Sequence, residues 1–223
     1  MGAKTWMLVY ADEVPVVALR AMPALDREAS LALAHRLFPG ERMEPLPDGS
    51  LAQTNPPDDE LLVGCFPGVA VVAAKEFAID HPARLPASFL DVSIGRTIHL
   101  HAMHSVVDWL AFAVWRDGQL LRSLSLSPDS GVIEDLGDKL PFEAPYWAGL
   151  HPAVDPDDED AADYPLVFHP LEMGEAALAA FFGYQLEGFV DPSLLAPEDI
   201  PLMRFKRLPP GFAANTRPWW KFW

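Results

Sequence analysis

The apolar positions change their spacing along the chain, and each spacing predicts an element. Thr5-Trp6-Met7-Leu8-Val9-Tyr10 has almost no polar break, which predicts a short strand covered on both faces and central in its sheet. Asp26 is placed to cap a helix running to about Leu37, with Leu25, Ala29, Leu33 and Leu37 or Phe38 on one stripe and Pro39-Gly40 as its stop. The polar, proline-rich stretch 41–59 reads as a surface loop. Leu61–Val63 and Val69–Ala73 flank Pro67-Gly68, a pair suited to a type II turn, and so predict a hairpin.

The strongest local signal is Asp117-Gly118, between the apolar runs Val106–Arg116 and Gln119–Ser127. Asp-Gly supplies the positive φ values of a two-residue type I′ turn. Counting outward from that turn sets Trp115 opposite Leu120, Ala113 opposite Arg122 and Ala111 opposite Leu124. Both faces of this ribbon are mostly apolar, so both must be covered. The glycines of Ser130–Asp138 read as turns. Pro170 opens a helix that Gly188 is expected to end, with Leu171, Leu178, Phe182 and Leu186 as its stripe. Gly174 and Gly183 weaken it unless another element packs close there. The sum is an α+β fold: a mainly antiparallel sheet with helices packed against it.

Composition narrows the class. The chain has 223 residues and 24.6 kDa, half of them hydrophobic and 22% charged, which excludes a disordered polymer; no apolar run is long enough for a membrane span. A formal charge of −16 disfavours general nucleic-acid binding. The charge is segregated. Carboxylates crowd the loop 155–163, whereas after Asp199 there is no acidic residue and Arg204, Lys206, Arg207, Arg217 and Lys221 contribute +5, leaving −21 for residues 1–199. Residues 1–203 therefore read as a single domain and 204–223 as a basic aromatic arm. Trp219, Trp220, Phe222 and Trp223 give that arm more apolar surface than water tolerates, so it is expected to strap across its own acidic body or to dock on a protein partner or a second copy. Cys65 is alone and no secretory leader is visible, so a cytoplasmic protein is the expectation.

Three groups could carry chemistry. His99 and His101 alternate on a strand and project together, as two imidazoles on one zinc or iron ion would require, with Asp108, His104, His151, His169 or Asp12 as the third ligand; the plainer reading is histidines bonded within a mixed interior or lying on a wet face, with no cofactor. Arg122, expected beside Trp115, could clamp a carboxylate or phosphate, or close a buried structural ion pair. Glu134 and Asp135 are candidate acid and base only if their environments differ. There is no nucleophile elbow, phosphate loop or dinucleotide fingerprint.

The segments Gly2–Trp6, His101–Trp115, Leu124–Asp129, Gly131–Glu134, Pro141–Glu143, Pro145–Gly149 and Phe168–Glu172 resemble an actinobacterial family of uncharacterised proteins, a domain of unknown function. The resemblance extends to about Gly188 and implies single-domain integrity. It assigns no activity and no site residue. The residues themselves favour a non-enzymatic binding or protein-interaction module; the alternative is a metal-assisted hydrolase built on His99 and His101.

Overall fold

In the computed structural model, which describes residues 2–91, 97–154, 164–188 and 191–210, the chain builds one nine-stranded antiparallel sheet. The strands are β1 (Lys4–Ala11), β2 (Arg42–Ser50), β3 (Glu60–Phe66), β4 (Val69–Ala73), β5 (Thr97–His104), β6 (Trp109–Arg116), β7 (Gln119–Ser127), β8 (Gly131–Gly137) and β9 (Pro201–Leu208). Their spatial order is β2-β9-β3-β4-β1-β5-β6-β7-β8. The continuous apolar run at residues 5–10 lies in the middle strand, as its lack of alternation requires.

Both faces are covered. Met7, Val9, Phe112 and Leu124 pack beneath α5 (Pro170–Phe182), while Trp6, Leu8, Tyr10, Trp109 and Trp115 form a second layer with α2 (Arg27–Leu37) and the short helix α3 (Ala87–Leu90). The short helices α1 (Pro15–Arg20) and α4 (Ala144–Trp147) complete the set of α-helices among the described residues. The Asp26 side chain caps α2 by accepting from the Ala29 amide at 2.9 Å. The β3–β4 hairpin turns at Pro67-Gly68, with Gly68 at φ +76°.

Four sequence expectations need correction. Residues 42–50 are the edge strand β2, not loop: prolines at 45 and 47 are tolerated where one side of the strand faces water. Residues 131–137 form the opposite edge, β8, and not a chain of turns. Residues 204–208, which charge alone places with the C-terminal arm, lie in β9 between β2 and β3, where Arg204 pairs with Glu60 and Arg207 with Glu41 and Glu76. Finally, α5 stops at Gly183, whose φ of +81° forms a left-handed cap, and not at Gly188 where the helix was expected to end; Gly174 does sit under a close neighbour, since a Cβ there would lie 2.6 Å from the Met103 sulfur. The acidic loop 155–163 and the aromatic residues Trp219, Trp220, Phe222 and Trp223 lie outside the described residues.

Candidate functional site

The hairpin β6–β7 turns at Asp117-Gly118 with φ values of +49° and +77°, and Arg116 faces Gln119 as the turn dictates. Two residues further on a bulge intervenes. Arg122 faces Val114 instead of Ala113, and Leu124 faces Phe112 instead of Ala111. The extra residue carries Arg122 to the α5 side of the sheet, away from Trp115, which packs on the α2 side. The two are therefore not neighbours on one face.

Arg122 is fully enclosed. Its Nε and Nη2 donate to the two oxygens of Glu143 at 2.9 and 2.7 Å, and Nη1 donates to Asp135 at 2.5 Å and to the Leu136 carbonyl at 3.0 Å. This is the buried structural pair that the sequence left open beside ligand binding. Glu134 and Asp135 face opposite ways: Asp135 meets Arg122, while Glu134 accepts from Ser123 Oγ and from the Ala83 amide on the other side. They do not form an acid–base pair facing one space.

His99 and His101 do project from the same face of β5, into the layer under α5. His101 Nε2 lies 3.0 Å from the Gly174 carbonyl, which can only accept, so Nε2 carries the hydrogen and Nδ1 accepts from Thr5 Oγ1 at 2.7 Å. Both ring nitrogens are thus used within the protein. Burial pushes the His101 pKa down to about 4 and that of His99, with the nearby Arg116 charge as a lesser cause, also to about 4. His99 lies 5.0 Å from the Phe181 ring and 6.1 Å from that of Phe182. His104 points to the opposite face and stacks on Trp6. The three imidazoles do not converge, and among the described residues no group of three His, Cys, Asp or Glu side chains is placed to hold a metal ion. Cys65 is half-buried, and burial raises its thiol pKa, the reverse of an activated nucleophile.

The convergence lies elsewhere. A cavity of about 640 Å³ opens at the start of α5, between that helix, α4 and the segment following Gly183. Glu172, Glu175 and Glu187 supply three carboxylates to it, and His151 and His169 two imidazoles. Tyr146 stacks on His151 at 4.5 Å between centroids and fixes its own hydroxyl by donating to the Glu172 carbonyl. His169 stacks on Tyr164, caps α5 by accepting from the Leu171 amide, and lies 3.5 Å from Asp108. Glu175 is the least ordinary member. Only 8% exposed, it accepts from the Leu186 and Glu187 amides at 2.7 and 3.2 Å and so pins the segment after the helix. Burial raises its pKa to about 7 in spite of those bonds, helped by the Glu187 charge. Sequence reasoning passed over this residue. The available signal was a carboxylate on the helix face that carries Leu178 and Phe182.

A family model described as a family of unknown function, DUF6928, matches residues 5–205. The chain belongs to that family. Its model spans the sheet from β1 into β9 and takes in every residue of the cavity. No curated protein and no solved structure matches the chain.

Proposed function

We propose that this DUF6928 chain is a non-enzymatic binding module of the cytoplasm, and that its site is the cavity at the start of α5, taking a small organic cation that carries an ammonium group. The observation that carries the reading is the convergence of Glu172, Glu175 and Glu187 on one open space whose wall is the Tyr146–His151 stack. Carboxylates attract the ammonium group, and an aromatic face beside them adds a cation–π contribution while covering the ligand's methylene groups. Glu175 sets a pH dependence. Its pKa of about 7 makes the site gain negative charge as pH rises through neutrality, so an amine is held more tightly at pH 8 than at pH 6. The lone Cys65 suits a reducing compartment.

Thermal unfolding of the full chain with 1,4-diaminobutane or tyramine, against succinate as the opposite charge, tests this. An amine present at ~100 times its Kd stabilises by about 2.7 kcal/mol, which is a rise in Tm of several degrees for a chain of this size. The reading fails if no amine shifts Tm at either pH, or if succinate is the ligand that does.

A further inference from the structure

A second cavity, of about 320 Å³, lies on the α2 side of the sheet at the end where β5 turns into β6. Trp6, His104 and Trp109 form its walls, and Lys75, Asp80 and Asp129 stand around it. Trp6 stacks on His104 with centroids 6.1 Å apart, and the Lys75 ammonium lies 4.6 Å from the Trp6 ring. Trp109 is only 9% exposed, yet its indole N–H finds no acceptor among the described residues. Native proteins seldom leave a buried donor unanswered. Next to it Val106 and Val107 are 74% and 50% exposed. Aromatic walls, an unanswered donor and an apolar lip fit a peptide segment that brings a ring for the walls and a carbonyl for the indole.

The chain's own C-terminal stretch is within reach. Lys206 of β9 faces Glu60, Leu62 faces Ala73, Ala73 faces Met7 and Trp6 faces Ala102, so β9 finishes at the end of the sheet where the cavity opens. Arg207 brings the chain out on the same face, its guanidinium 3.9 Å from the Phe38 ring and paired with Glu76, the neighbour of Lys75. From β9 to β6 is five strand spacings, or ~24 Å. Residues 211–223 span up to ~43 Å when extended. Their only charged side chains are Arg217 and Lys221, which complement Asp80 and Asp129, and their rings include Trp219 and Trp220. We infer that residues 217–223 fold back on their own sheet, seating a tryptophan in the Trp6–Trp109 cavity with the two cations against Asp80 and Asp129. This contact is independent of the amine site.

Zero-length carbodiimide cross-linking of the full chain, as an equal mixture of 15N-labelled and unlabelled protein, reads this by mass spectrometry. The expected product joins Lys221 to Asp80 or Asp129 with both halves carrying the same isotope. Trp219→Ala combined with Trp220→Ala should lower that yield at least about five-fold, as removal of an aromatic contact predicts. Mixed-isotope products approaching half of the total, the share that random pairing of two copies gives, would mean that a second copy fills the cavity. That result overturns the inference, as do coupling of Lys221 only to other carboxylates such as Asp12, absence of any Lys221 product, and an unchanged yield in the double variant.

Discussion

Glu143→Gln should cost this protein a large share of its stability. The Arg122 and Glu143 side chains are both 0% exposed, and the two Glu143 oxygens accept from Arg122 Nε and Nη2, the Leu140 amide and the Trp147 indole N–H. Gln keeps one acceptor but turns an NH₂ group toward donors, leaving the guanidinium with Asp135, itself 39% exposed, and backbone carbonyls. Breaking a buried pair by removing one partner costs about 3–5 kcal/mol; the surviving Asp135 contact places this case at the lower end, at about 3 kcal/mol. Arg122→Met strands the carboxylate instead and should cost a similar amount. In the double variant Arg122→Met with Glu143→Gln no buried charge is left unpaired, Asp135 being 39% exposed, so the loss should fall short of the sum of the single losses by ~2 kcal/mol or more. Urea unfolding followed by tryptophan fluorescence measures all three: with a slope of ~2–3 kcal/mol per molar, each single variant moves the midpoint down by ~1 M. Single losses under ~1 kcal/mol, or additive losses in the double variant, would refute the reasoning.

Two further outcomes follow from the layer under α5. Folding lowers the pKa of His99 and His101 from 6.5 to about 4, so stability present above pH 6.5 is lost as pH falls toward 4; Glu175, raised from 4.5 to about 7, acts oppositely and loses stability as pH rises between those values. Between pH 4.5 and 6.5 two histidines oppose one carboxyl, so stability rises with pH, and Glu175→Gln should roughly double that slope, from about 1.4 to about 2.7 kcal/mol per pH unit; equal slopes in urea titrations of the two proteins would contradict the assignment. Gly174→Ala places a Cβ 2.6 Å from the Met103 sulfur and 3.2 Å from Leu110 Cδ1, so in spite of better helix propensity it should lower stability by ~1–2 kcal/mol in the same assay, whereas a gain would show that α5 rides higher over β5 and β6.

Local signals in the sequence were legible where they act alone. Asp117-Gly118 dictates its turn, Asp26 caps its helix, and the unbroken run at residues 5–10 marks the central strand. Pairing beyond the turn was not, because the bulge that moves Arg122 from Ala113 to Val114 depends on partners far along the chain, with Asp135 and Glu143 both holding the guanidinium on the α5 side. The edge strands β2 and β8 escaped for a related reason: with one side open to water they keep Pro45, Pro47, Glu134 and Asp135, which read as loop chemistry. The His99–His101 spacing correctly gave a shared face, but spacing carries no information on the Thr5 hydroxyl and Gly174 carbonyl that occupy both nitrogens of His101. The cavity around Glu175 was illegible because its members, from Tyr146 to Glu187, are brought together by α4, α5 and the segment after Gly183, with no motif linking them.

Calorimetric titration of 1,4-diaminobutane into the full chain at pH 8, for the wild type and for Glu172→Gln combined with Glu187→Gln, addresses the cavity most directly. Both substitutions keep shape and leave the buried Glu175 bonds in place. The cavity reading predicts saturable binding to the wild type that weakens at least about ten-fold in the double variant, the loss expected when charged hydrogen-bond partners are removed. Equal heats from both proteins, or none from the wild type, would contradict it.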